Sequence, residues 1–89
     1  MATLKFGGQA YALLDELEAD PARVGLLEQL NTALDRLETD PGDAWCRRRR
    51  YQNLGVWGIL VSVSGEAWLI LWEYESDDSL IVHSITPAP

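Results

Sequence analysis

The sequence has little of several residue types that would point directly to a chemistry. Cys46 is its only cysteine, which excludes an internal disulfide and a zinc site built from several cysteines. His83 is its only histidine, and no catalytic triad, metal-ligand cluster or glycine-rich phosphate loop can be recognised. No apolar run approaches the roughly 20 residues that cross a bilayer, and the first residues lack the apolar stretch of a signal peptide. We therefore expect no cofactor, no metal and no membrane, and a cytoplasmic location.

Basic residues are also scarce, and they are unevenly distributed. The 89 residues include 7 Lys and Arg against 14 Asp and Glu, for a net charge of −7. Residues 1–43 hold three basic and nine acidic residues, whereas the basic residues of the second half are four consecutive arginines. The overall charge argues against non-specific binding of nucleic acid, because phosphates are attracted by positive potential. The sequence still allows a local basic stripe formed by Arg47, Arg48, Arg49 and Arg50.

The first half of the chain predicts two amphipathic helices. The composition, 47% hydrophobic and 24% charged, is that of a folded protein, and the length fits a single domain over residues 1–89. Leucines recur at helical spacing in residues 9–19 and again in residues 21–39. Asp20-Pro21 separates the two helices, and "DPGD" at 40–43 ends the second. Joined so closely, the helices should form a hairpin with their apolar faces on a common partner.

The second half predicts an antiparallel meander. Ser64-Gly65 and "SDDS" at 76–79 are typical of turns, and the prolines of the tail "TPAP" are expected to end the sheet. Residues 2–6 add a short first strand. The predicted fold is therefore α+β, in the order β-α-α-β-β-β-β, with two N-terminal helices packed on one face of a small antiparallel sheet. The four strands of the meander, rich in β-branched and aromatic residues, are predicted at residues 45–51, 56–63, 66–75 and 80–85.

One predicted strand is apolar at every position of residues 67–72, "AWLILW". An antiparallel sheet with one face in water would alternate polar and apolar residues, and the helices can cover only one face. We therefore expect the second face to be covered by a partner segment, a second copy of the chain or the chain termini. Since alternate strand residues point to opposite sides, the two faces are formed by Trp68, Ile70 and Trp72, and by Ala67, Leu69 and Leu71.

The order of elements, the helix end "LDRLETDP" (34–41) and the arginine-rich segment after it resemble the RelE/ParE toxin superfamily of bacterial type II toxin–antitoxin systems. Members often show a pattern such as R-x-R-V-G-D-Y-R-V-x-Y after the helical pair, and "RRRYQNLGVWGILVSV" (48–63) lies in that place. Arg48 and Arg50 match the first two basic residues of the pattern, and Gly55 lies near its turn. The resemblance covers almost the whole chain.

The resemblance implies a toxin component that acts on a macromolecular target, ribosome-bound mRNA or a topoisomerase. It also implies neutralisation by an antitoxin, bound on the face of the Ala67–Trp72 strand. If the protein is an enzyme, the implied activity is that of a metal-free endoribonuclease. Arg48 and Arg50 would then stabilise phosphate charge, and His83, near the end of the last strand, would transfer protons. The RNA would be bound through the arginine run, residues 47–50.

A second hypothesis is a non-enzymatic interaction domain that self-associates through its apolar sheet face. The arginines would then serve structure: one alternate pair would form salt bridges with acidic groups near the helices, such as Asp35, Glu38 or Asp43, and the other would face solvent or a partner. Cys46 would be a small buried hydrophobe, and His83 a partly buried strand residue. The four tryptophans would pack in the core or in an interface.

Overall fold

Both predicted helices are present in the computed structural model, which describes residues 2–88. Helix α1 spans Gly8–Glu18. The Asp20 side chain then accepts a hydrogen bond from the Ala22 amide and starts a short 3-10 turn over Pro21–Arg23. Helix α2 follows directly as Val24–Thr39. Within the described residues, neither helix is long and apolar enough to span a membrane.

The five strands form one sheet, and the α+β prediction is confirmed. The sheet is mixed and not wholly antiparallel, because β1 joins β5 as a parallel edge strand. The helical pair connects β1 to β2, the two edge strands of the sheet, so β1 and its neighbour β5 come from opposite ends of the chain. The other neighbours are antiparallel, and the order across the sheet is β1-β5-β4-β3-β2. The strands are β1 (Thr3–Phe6), β2 (Arg49–Tyr51), β3 (Val56–Val63), β4 (Glu66–Ser76) and β5 (Ser79–Pro87).

The turns within the meander lie where they were predicted. Ser64 and Gly65 connect β3 to β4 with positive φ angles of 50° and 83°, which is the conformation of a hairpin turn that follows strand twist. Residues 77 and 78 connect β4 to β5. β5 also contains a bulge, because Leu71 pairs with Ser84 while Trp72 pairs with Val82. His83 is the extra residue of this bulge.

Two strand predictions were wrong at their ends. The strand predicted over residues 45–51 begins only at Arg49, and residues 44–47 form a turn. The tail does not end the sheet at residue 85, since β5 continues to Pro87 and the Ala88 amide donates to the Ala67 carbonyl. Pro87 is tolerated because its missing amide would point away from β4, toward the side where β1 has already ended at Phe6.

The hydrophobic core lies between the helices and one face of the sheet. Trp68, Ile70 and Trp72 of β4 are buried on this face at 7%, 0% and 0% exposure. The helices contribute a stripe of leucines that includes Leu30 and Leu37, both fully buried. Burial of a tryptophan removes roughly 200 Å² from water, which is worth about 5 kcal/mol at about 25 cal/mol per Å². The core therefore depends strongly on the face of β4 that carries Trp68, Ile70 and Trp72.

The Gln9 side chain of α1 makes the hydrogen bonds of a neighbouring strand where β5 extends beyond β1. Its side-chain carbonyl accepts from the Ile85 amide at 2.8 Å, and its amide nitrogen donates to the Ile85 carbonyl, also at 2.8 Å. These two bonds satisfy backbone groups that β1 is too short to reach. The side chain therefore fixes α1 against β5, the pair of elements that carries much of the helix–sheet packing.

We predict that Gln9→Ala lowers the free energy of unfolding by about 1–3 kcal/mol, because two partly buried backbone groups lose their partners. Urea denaturation followed by tryptophan fluorescence measures the change. Gln29→Ala is the matched control, since Gln29 is exposed on α2. Equal effects of the two substitutions would show that the contact with Ile85 does not stabilise the fold.

Candidate functional site

The arginine run lies at the β2 edge of the sheet. Arg49 and Arg50 belong to β2, and Arg47 and Arg48 precede it in the turn. All four residues are exposed, and none forms a salt bridge with a carboxylate of residues 2–88. The expected pairing of these arginines with Asp35, Glu38 or Asp43 is therefore not found in this part of the chain. Asp43 pairs instead with Arg36, at 3.0 Å.

Two of the four arginines lie against aromatic rings. The guanidinium carbon of Arg50 is 4.3 Å from the ring centroid of Trp57, and that of Arg47 is 5.2 Å from the same ring. Arg47 also donates a hydrogen bond of 2.6 Å to the Tyr74 hydroxyl. The prediction that alternate arginines of the run share a face, which would place Arg47 opposite Arg50, was wrong, because Arg47 lies in a turn and not in the strand. Arg47 and Arg50 share the side of the sheet that carries the helices.

The rings beneath these arginines form an aromatic cluster of Trp57, Trp72 and Tyr74. Trp57 stacks on Trp72 with centroids 5.0 Å apart and an interplanar angle of 26°. Tyr74 meets both rings edge-on, at 5.8 Å from Trp57 and 5.5 Å from Trp72. Trp72 is fully buried, so the cluster connects the exposed arginines to the core. Such pairs add about 0.5–1.5 kcal/mol each beyond the area that they bury.

The turn that carries Arg47 is fixed from both sides. The Trp72 indole donates to the Cys46 carbonyl at 2.9 Å, and the Arg47 side chain donates to the Pro41 carbonyl at 3.1 Å. Asp43 accepts from the Trp45 amide at 3.0 Å. That bond, and after it the hydrogen bond from Arg36, holds the pKa of Asp43 below its ordinary value. The turn is therefore a hydrogen-bonded support for Arg47.

Cys46 lies inside this turn and is fully buried, as predicted. Burial, reinforced by the neighbouring charge of Asp43, raises the pKa of the Cys46 thiol to about 11. Because the thiolate is the reactive form of cysteine, the four nearby arginines do not make this thiol a nucleophile. Its contribution is to fill space beneath the turn and to present its backbone carbonyl to Trp72.

His83 lies on the opposite face of the sheet. It is exposed, and its Nε2 is 3.1 Å from a carboxylate oxygen of Glu73 on the neighbouring strand. Glu73 directly follows Trp72 in β4, so its side chain points away from the helices. The bulge in β5 directs His83 to this partner. His83 lies in a strand, as expected, but it is exposed and not partly buried.

The structure does not bring the three candidate catalytic residues together. Arg50 lies on Trp57, on the helix side of the sheet, whereas His83 pairs with Glu73 on the other side. Three strand spacings separate β2 from β5, a distance of roughly 14 Å at about 4.8 Å per strand. Arg48 lies in the exposed segment just before β2. To stabilise a phosphate and to transfer a proton at the same bond, these residues would all have to contact the same reacting group of the substrate.

A second surface is the apolar outer face of the sheet, formed by Leu60, Leu69, Leu71 and Ile81. All four residues are half-buried, and both helices pack on the opposite side. Leu69 and Tyr51 close over Gly58, where an added Cβ would lie 3.0 Å and 2.8 Å from their side-chain carbons. Side chains of the sheet itself, such as those of Tyr51 and Leu69 over Gly58, therefore cover part of this face. Its coverage by a partner or a second copy stays a prediction.

No family model matches this chain, and no curated protein or solved structure matches it either. The function of the site is therefore inferred from its own geometry and charge. Arg47, which contacts Trp57, Tyr74 and the Pro41 carbonyl, was not among the predicted catalytic residues, and neither was Trp57, on which two guanidinium groups converge. The aromatic residues beside the run in "WCRRRRY", Trp45 and Tyr51, are not the rings that Arg47 and Arg50 contact, so no local signal in the sequence indicated this arrangement.

We predict that Cys46 does not react with an exposed-thiol reagent in the native protein at pH 8. A pKa of about 11 leaves roughly one thiol in a thousand ionised at that pH, and the buried side chain is also inaccessible. Labelling with a chromogenic disulfide, with and without denaturing urea, measures the difference. Labelling at the same rate in both conditions would show that the turn is open in the native state.

Proposed function

We propose that this protein is a RelE/ParE-like toxin component that binds a macromolecular target and is neutralised by an antitoxin. The target implied by the resemblance is ribosome-bound mRNA or a topoisomerase. The distance between Arg50 and His83 favours an action through binding over cleavage of RNA by these residues. The proposal therefore assigns Arg48 and Arg50 to target contact, and it assigns no proton transfer to His83.

The observation that carries this proposal is an uncompensated basic edge on an acidic protein. The net charge is −7, and yet four exposed arginines stand together without a salt bridge to any carboxylate of residues 2–88. A guanidinium stacked on an indole ring keeps its N–H donors free at its edge, where they suit the paired oxygens of a phosphate or a carboxylate. Arg50 is held in this way on Trp57, whereas Arg47 donates two of its N–H groups to the Pro41 carbonyl and the Tyr74 hydroxyl.

The architecture supports the same proposal. The helical pair is followed by the arginine strand β2, by a turn that contains Gly55, and by the three-strand meander. Gly55 has a φ of 69°, a conformation that favours glycine at this position. This succession of elements is the one that the resemblance implies after a helix ending in "LDRLETDP".

We predict that expression of this protein alone slows bacterial growth, and that Arg48→Ala combined with Arg50→Ala relieves the effect. Loss of two guanidinium groups removes contacts to the target while the buried core is unchanged. Growth curves under an inducible promoter, with protein levels measured by immunoblot, test this. Arg23→Ala is the matched control, because Arg23 lies over Trp68 and outside the run. Normal growth with abundant folded wild-type protein would refute the toxin proposal.

A second candidate function is a non-enzymatic domain that self-associates through the apolar outer face of the sheet. The half-buried side chains of Leu60, Leu69, Leu71 and Ile81 favour it, because the helices leave this face without cover. Contiguous apolar patches on soluble proteins commonly mark interfaces. On this hypothesis the basic edge has no target, and expression is harmless.

We predict for this second candidate that Leu69→Glu converts a dimer to a monomer, since a carboxylate would have to be buried in the interface without a partner. Light scattering of the purified protein gives the mass, and circular dichroism establishes that the variant is folded. Ser62→Glu is the control, because Ser62 is exposed on the same sheet face, near the β3–β4 turn. A wild-type mass equal to that of one chain at all concentrations would exclude this candidate.

A further inference from the structure

An apolar groove runs along the β1 edge of the sheet, beneath the two helices. It has a volume of about 490 Å³ and lies between β1, α1 and α2. Its floor is formed by half-buried or buried apolar side chains from all three elements, and the exposed ring of Tyr11 stands at its side, 66% exposed. The floor residues are Leu4, Phe6, Leu14 and Leu34.

The rim of this groove is entirely acidic in charge. Two carboxylates come from α1 and two from α2, and no basic residue lines the groove. Within residues 2–88 none of the four forms a salt bridge. Carboxylates that are held near one another around an apolar floor create a negative potential that a basic, partly apolar group would neutralise. The rim residues are Asp15, Glu18, Asp35 and Glu38.

The same chain carries the complementary surface at its other edge. Arg48, Arg49 and Arg50 are exposed, and Leu54, four residues beyond Arg50, is 65% exposed. Arg50 and Leu54 line one shallow hollow on the β2 side. We call Arg48, Arg49, Arg50 and Leu54 the arginine end. It combines positive charge with one projecting apolar side chain, and the groove combines negative charge with an apolar floor.

The two surfaces cannot meet within one molecule. The groove borders β1 and the arginine end includes β2, and these are the two opposite edges of the sheet. Four strand spacings separate them, roughly 19 Å at about 4.8 Å per strand. A contact between them therefore needs two copies of the chain. Because the two surfaces lie at opposite edges of the sheet, a contact between two copies leaves one surface of each copy for a further copy, and the association is head-to-tail.

We propose that the acidic groove of one copy receives the arginine end of another, with Leu54 seated on the apolar floor and the arginines on the carboxylate rim. The occupant is thus a second copy of this chain, bound by charge and apolar complementarity. The assembly extends as short chains or closes as a ring. This inference does not rest on the proposed function, and it concerns surfaces other than the apolar outer face of the sheet.

Light scattering of the purified protein tests the proposal at two ionic strengths. At about 0.01 M salt the Debye length is about 30 Å, and at 1 M it is about 3 Å. We expect a mass above that of one chain that rises with protein concentration at low salt and returns to one chain at high salt. Leu54→Ser should weaken the low-salt association at least about tenfold, or about 1.4 kcal/mol.

Charge reversal identifies the two surfaces. Glu18→Lys with Asp35→Lys reverses the groove, and Arg48→Glu with Arg49→Glu reverses the arginine end. Each double variant should be monomeric alone, and an equimolar mixture of the two should associate with the two variants alternating, because each groove then meets an end of opposite charge. The control is Glu16→Lys with Glu28→Lys, which changes the net charge of the chain equally at exposed helix positions outside the groove. This control should associate like the wild type.

Three results would overturn the proposal. The first is a wild-type protein that is monomeric at low salt. The second is an association that salt does not weaken and that Leu69→Glu abolishes, which would place the contact on the outer face of the sheet. The third is a pair of charge-reversed variants that stay monomeric when mixed, although circular dichroism shows both to be folded. A wild-type protein that stays monomeric but binds a short peptide containing arginine and leucine in its groove would also overturn the proposal, because the occupant would then be a different chain.

Discussion

The buried indole of Trp72 joins the core to the candidate functional edge. It is fully buried in β4, stacks on Trp57, and donates a hydrogen bond to the Cys46 carbonyl. A buried tryptophan N–H needs such a partner, and here the turn of residues 44–47 supplies it. That turn positions Arg47 beside Tyr74, and the stack on Trp57 positions Arg50. The arrangement of the arginines is therefore a consequence of core packing.

Separation of charge is the second feature that the fold creates. The two helices carry six acidic residues and one basic residue, and four of the six line the groove at the β1 edge of the sheet, while the arginine run lies at the other edge. The one acidic residue of the turn that does find an arginine, Asp43, takes it from α2 and not from the run. The run consequently stays available to a phosphate, to an acidic partner or to another copy of the chain. The fold therefore holds the acidic groove and the arginine run roughly 19 Å apart, at the two edges of the five-stranded sheet.

The face of the sheet without helices shows why an apolar strand does not by itself reveal its partner. Leu69 and Leu71 are half-buried in the single chain, partly because neighbouring strands and the Tyr51 ring shield them. The same face also carries ionic pairs, Lys5 with Glu75 and His83 with Glu73. It is thus a mixed surface, with an apolar centre toward β3 and a charged border toward β1. A patch of this kind is compatible with a partner and is also tolerated in water.

The sequence by itself determined the two helices, the β3–β4 and β4–β5 turns, the α+β class and the division of β4 into two faces, because periodicity and turn chemistry are local properties of the chain. Only the tertiary structure decided the parallel pairing of β1 with β5, since that contact joins residues more than seventy positions apart. The tertiary structure also decided where β2 begins, because the Cys46 carbonyl accepts a hydrogen bond from the Trp72 indole and not from a neighbouring strand. Finally, it placed Arg50 and His83 on opposite faces: strand register and a single bulge, which no local pattern encodes, set the direction of each side chain.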